Sequence, residues 1–125
     1  MSRSVALATR LTLVEAADVV GGAFALLHGR VEAIATVGLE HEIDGTATLA
    51  VLGRREALLN TWAVQAYFYD LGGTRGVELV ALGETGLLRI VGGVSRLACL
   101  SRSMRRMDAV VAALRDRDPL AQLIA

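Results

Sequence analysis

The stretch Val77-Glu-Leu-Val-Ala-Leu82, Gly83-Glu-Thr-Gly86, Leu87-Leu-Arg-Ile-Val91, Gly92-Gly93 and Val94-Ser-Arg-Leu-Ala-Cys-Leu100, running on to Asp116, reads as strand, turn, strand, turn, strand and amphipathic helix. In Val77 to Leu82 the residues Val77, Leu79 and Ala81 share one face and Glu78, Val80 and Leu82 the other, so both faces are largely apolar. Gly92-Gly93 between short apolar runs favours a tight primed hairpin. Ser101 or Ser103 is suited to cap the closing helix, whose stripe is Met104, Met107, Val110, Val111 and Leu114.

Working back from there, Val5, Leu7, Leu11 and Val14 recur at three- and four-residue steps, which predicts a first helix ended by Gly21-Gly22. Gly22 to Leu27 and Val31 to Val37 form a hairpin about His28-Gly29-Arg30, with Gly29 free to take positive φ. After the polar loop Glu40 to Gly45, a second helix runs through Trp62 to Leu71, with Asp44 or Thr46 as its cap. Its apolar residues lie on two sides, Val51, Leu58, Leu59, Trp62, Ala66 and Tyr69 on one and Ala57, Val64, Phe68 and Leu71 on the other. Arg54, Thr61 and Gln65 make a polar stripe between them. A helix on one sheet needs one apolar stripe, so the second asks for a second surface. Gly53 in such a helix costs about 1 kcal/mol relative to Ala, so either the helix starts after it or a neighbouring backbone comes close there. The expected order is helix, two strands, helix, three strands, helix, in one α/β domain spanning 1–125.

Composition narrows the function. Thirteen basic residues balance thirteen acidic ones with both signs scattered, so no stripe marks nucleic acid or a membrane surface. Apolar residues make up 54%, above the usual roughly 45 to 50%, and no run reaches the roughly 18 residues that cross a bilayer. The surplus suits a subunit interface. All the basic residues are Arg. The lone Cys99 reads as a buried thiol in a reducing cytoplasm, and the first residues carry no secretory apolar core.

Order and turn spacing resemble the Roadblock/LC7 superfamily, which includes dynein light chains and bacterial regulators of Ras-like GTPases. Gly21-Gly-Ala-Phe-Ala-Leu-Leu-His-Gly29 matches that family's first strand and turn, and Val77 to Leu114 its later strands and closing helix, with Glu84-Thr85-Gly86 at the acidic turn. His28 stands where the family usually has Asp. The resemblance implies a profilin-like α+β sandwich with a five-stranded, mainly antiparallel sheet. It also implies a homodimer, or a heterodimer with another roadblock chain, that binds a small Ras-like GTPase or an equivalent protein and does no chemistry. Third strands pair across the dimer axis in that family, and second helices lie side by side. On this reading the dimer interface takes Val77, Leu79, Val80, Leu82, Leu58 and Trp62, and the exposed stripe Arg54, Thr61 and Gln65 binds the partner.

Motifs for chemistry are sparse. His41-Glu42-x-Asp44 offers metal ligands without a second set, as solvated loops usually do. Gly72-Gly73 closes the second helix, and Gly72-Gly-Thr-Arg-Gly76 follows a helix and precedes a strand, whereas a phosphate cradle leads into a helix, so it reads as a connection. No cofactor is expected. The alternative is a small ligand-binding or enzymatic domain with a pocket between sheet and helices, for which Cys99 and His28 are the candidates. Trp62, Tyr67, Phe68 and Tyr69 read as core and dimer packing.

Overall fold

Strand-forming runs dominate the first two thirds of the chain, and one long helix closes it. A computed structural model of the protein describes residues 2–36, 47–57, 60–83 and 94–124, with the backbone alone at 94–96. The elements are β1 (Ser2–Thr9), α1 (Leu13–Leu26), β2 (Arg30–Ala33), β3 (Leu49–Arg55), β4 (Trp62–Asp70), β5 (Arg75–Leu82), α2 (Val94–Arg117) and β6 (Gln122–Leu123). Every pairing among them is antiparallel, in the order β2-β3-β4-β5-β1-β6. The general α/β class is as expected. The order differs: six strands and two helices among the described residues, against five strands and three helices.

The differences have identifiable causes. Residues 2–9 are strand, with Val5 and Leu7 toward the helices, and the first helix starts later, at Thr12-Leu-Val-Glu15. There the Thr12 hydroxyl accepts from the Glu15 N–H at 3.1 Å, and the Glu15 carboxylate accepts from the Thr12 N–H at 3.1 Å. This reciprocal cap is legible as Thr-x-x-Glu, and it outweighs the glycines that were expected to end a helix. Gly21-Gly22 therefore lie inside α1, and Gly22 to Leu27, expected as a strand, are its last turns and cap. Burial of Ala16, Val20, Ala23 and Phe24 offsets the roughly 1 kcal/mol that each mid-helix glycine costs.

The expected second helix is the hairpin β3–β4. Both faces of β4 are covered, and a strand buried on both sides reads as a continuous apolar run that fits a helical period as well as a strand's. Trp62, Val64, Ala66 and Phe68 face the helices, while Tyr67 and Tyr69 pack on the far face with Ala6, Ala50 and Val80. The second surface inferred from the two-sided pattern is the second face of a sheet. Gly72, at φ +90°, and Gly73 turn this chain from β4 into β5 rather than closing a helix. Downstream, Val94 to Leu100, expected as a strand, begin α2. Its buried residues Cys99, Ser103, Met107, Val110 and Leu114 keep the helical period, and a polar Ser103 in the stripe disguised its first turns. The expected strand Leu87 to Val91 and the turns at 83–86 and 92–93 fall wholly or partly outside the described residues, as do the loop 40–45 and His41, Glu42 and Asp44.

Both helices lie on one face of the sheet, where Leu7, Phe68, Val77 and Leu79 meet Val20 and Phe24 of α1 and Met107, Val110 and Leu114 of α2. Each such side chain contributes roughly 1.5–3 kcal/mol on burial. Arg117 of α2 lies 3.8 Å from Glu15 at the start of α1, while Ala109 and Ala113 lie by Val19 to Leu27, so the helices run antiparallel. A second clasp joins the chain ends. The Asp118 carboxylate accepts from the Thr9 hydroxyl at 2.7 Å and from the Arg10 and Leu120 N–H groups at 2.9 and 3.2 Å. These donors, the Thr9 hydroxyl foremost, hold its pKa below the ordinary carboxylate value.

Two glycines fix the approach of α1 to the sheet. A Cβ on Gly53 would lie 2.4 Å from the Phe24 ring, and one on Gly29 would lie 2.5 Å from the Trp62 ring. Gly53 is on a strand rather than in a helix, and what comes close to it is an aromatic side chain, not a neighbouring backbone. Because Gly29 is required one position later, the residue that leaves α1 in the left-handed conformation is His28, at φ 62°. The N–H groups of His28 and Gly29 donate to Ala25 and Phe24 carbonyls at 3.0 and 2.8 Å, a Schellman ending with His in the place glycine usually takes.

Candidate functional site

Two surface features lie to either side of the end of α1 along the chain, one lined by residues up to Leu27 and the other from His28 on. The first is an apolar groove of about 550 Å³ between α1 and α2, lined by Val19, Gly22, Ala23, Leu26, Ala109 and Ala113, with Asp18 at its acidic end. Leu26 is 82% exposed, and the space that a Cβ on Gly22 would enter is open. The second is a polar cleft of about 330 Å³ lined by His28, Arg30, Arg54, Arg55 and Glu56. Register builds it: Arg30 of β2 stands directly opposite Arg54 of β3, and Arg55 opposite Trp62 of β4.

α2 reaches the same end of the sheet. Arg102 Nε donates to the Thr61 carbonyl at 2.8 Å, Arg106 Nη2 to Asn60 Oδ1 at 3.0 Å, and the Ala63 N–H to Ser103 Oγ at 3.0 Å. Burial lowers the Arg106 pKa, helped by the positive charges of Arg105, Arg102 and Arg55. On the far face of the sheet Glu78, 1% exposed, lies 3.4 Å from the Tyr69 hydroxyl. Burial first, and then the neighbouring Glu78, raise the pKa of both Tyr67 and Tyr69.

The residues expected to bind a partner do not form one exposed stripe. Arg54 is on β3, half-exposed and paired with Glu32 at 3.0 Å. Thr61 is 1% exposed and donates its hydroxyl to the Ala57 carbonyl, so it belongs to the core. Gln65 is half-buried on β4, with its Oε1 buried and without a donor among the described residues. Of the three, Arg54 alone lines a cleft, in the company of Arg30 and Arg55, which sequence reasoning passed over because strand pairing brings them together.

Of the residues expected at a dimer interface, Val77, Leu79, Val80, Leu82 and Trp62 lie inside the sheet. β5, carrying Val77, Leu79, Val80 and Leu82, is paired to β4 on one side and β1 on the other, so it offers no free edge to a second chain. Trp62 is fully buried against Phe24 and Gly29, and Leu58 lies outside the described residues. Cys99 is buried, as read, but on a helix, with Sγ 3.7 Å from the Leu82 carbonyl and 3.9 Å from Ser103 Oγ. That carbonyl is on β5 and His28 adjoins β2, three strand spacings or roughly 14 Å away, beyond the reach of a nucleophile and its base.

Among the described residues no three His, Cys, Asp or Glu side chains group to hold a metal ion, and no helix is long and apolar enough to cross a membrane. No model of a known protein family matches the chain, and no curated protein matches it.

Proposed function

We propose that the protein is a non-enzymatic interaction module that docks an apolar segment of a partner protein in the groove between α1 and α2. The carrying observation is the groove itself, whose wall residue Leu26 stands 82% exposed beside the small residues Gly22, Ala109 and Ala113. Apolar surface gathered in a concave site is what a binding partner removes from water, at about 25 cal/mol per Å². Small residues on both helices let a partner's backbone come close.

A Ras-like GTPase is the partner class that the resemblance to roadblock proteins names. Of the residues that carried that resemblance, Gly21 to Gly29 form the helix wall of this groove and its ending rather than a strand and turn. A GTPase therefore enters as an outcome of the test. Leu26→Asp places a charge in the groove at an exposed position in the last turn of α1, where opposition to the helix dipole costs about 0.3–1 kcal/mol. The expected result is a variant that stays folded, with a melt only slightly below the wild type, and no longer captures the protein that a photo-crosslinker at Ala113 captures. Unchanged capture by Leu26→Asp refutes the groove as the docking site.

A further inference from the structure

The cleft at the end of α1 holds cations that the fold itself does not need. Arg30 and Arg54 face each other across the β2–β3 ladder, where like charges destabilise a sheet. Glu32 at 3.0 Å and Glu56 at 3.9 Å compensate Arg54, whereas neither Arg30 nor Arg55 has a carboxylate partner among the described residues. Arg102 and Arg106 add their charge from α2 to the same end of a chain whose basic and acidic residues balance overall.

Two further observations point the same way. Among the described residues the Nε–H of Arg106 and the Nε1–H of Trp62 are buried donors without an acceptor, and the Trp62 ring lies against Gly29, between the cleft residues His28 and Arg30. His28 occupies a left-handed position that glycine would hold without strain, and strained residues that persist cluster at binding sites.

The geometry points to an anion site, in which the cleft of His28, Arg30, Arg54 and Arg55, whose lining also carries Glu56 beside Arg54, binds a phosphate group through the cations. A guanidinium presents paired N–H donors that match two phosphate oxygens, and a doubly charged group answers several cations where a single carboxylate answers one. The roughly 330 Å³ of the cleft falls within the usual range of small-ligand sites. The phosphate belongs either to a small phosphate ester or to a phosphorylated residue of a polypeptide. The site is separate from the groove and does not depend on it.

The test is a titration of the whole protein with inorganic phosphate at constant ionic strength, followed through the backbone amide resonances of Gly29, Arg30 and Arg54. Saturable shifts are expected, together with a loss of affinity of at least tenfold in the double variant Arg30→Gln, Arg55→Gln. That variant removes charges with no carboxylate partner among the described residues, so it stays folded, as its thermal melt will report. His28→Gly should weaken binding about threefold. Titration with a sugar phosphate and with a phosphoserine peptide separates the two sources, the tighter ligand naming the one. Shifts that grow linearly without saturation, shifts that chloride reproduces, or unchanged affinity in the double variant would overturn the assignment.

Discussion

Replacing His28 by glycine should make this protein more stable. A non-glycine residue in the left-handed conformation costs roughly 1–2 kcal/mol, and His28 sits there at φ 62°. Glycine loses more backbone freedom on folding, which returns about 0.5–1 kcal/mol of that gain. The imidazole is exposed, so its removal forfeits little packing. Both Schellman hydrogen bonds are made by backbone and survive. The net expectation is about 0.5–1 kcal/mol of added stability, or roughly 2–4 °C in melting temperature for a domain of this size. Urea unfolding at fixed pH measures it, with His28→Ala as the control. Alanine keeps the Cβ that causes the strain and should gain nothing. The reasoning fails if His28→Gly is less stable than the wild type, or if His28→Ala gains as much. A gain in stability joined to weaker phosphate binding would show a side chain held in place for a ligand at the expense of the fold.

Gly53→Ala should destabilise the protein by about 1–3 kcal/mol, because the fully buried Phe24 ring has no room to yield to a Cβ. Combining it with Phe24→Leu should cost less than the sum of the two single changes, and strict additivity in that cycle would deny the contact. Asp118→Ala leaves the Thr9 hydroxyl and two backbone N–H groups without their acceptor and should cost about 2–4 kcal/mol in a denaturant melt. Because the folded-state pKa of Asp118 is depressed, its contribution is complete above about pH 4 and is lost as pH falls through the lower folded value. Stability of Asp118→Asn should therefore fall less steeply over that acid range, which parallel melts will show. Ser103→Ala strips the acceptor from the buried Ala63 N–H and should cost about 1–3 kcal/mol by thermal unfolding.

What the sequence by itself determined was local. The cap of α1 is written in Thr12 and Glu15, three residues apart, because a reciprocal hydrogen bond between neighbours needs no other part of the chain. The strand Val77 to Leu82 and the late stripe Met107, Val110 and Leu114 were legible for the same reason. Tertiary structure decided whether the apolar run from Val51 to Tyr69 is helix or strand, since burial on both faces of a sheet erases the alternation that marks a strand. It also decided that β5 is interior, because its outer neighbour β1 comes from the other end of the chain. The two candidate sites have the same origin. Leu26 and Ala113 come together only when the helices run antiparallel, and Arg30 meets Arg54 only in one register of β2 on β3. Spacing along the chain carries neither fact, because both depend on which elements pair in three dimensions.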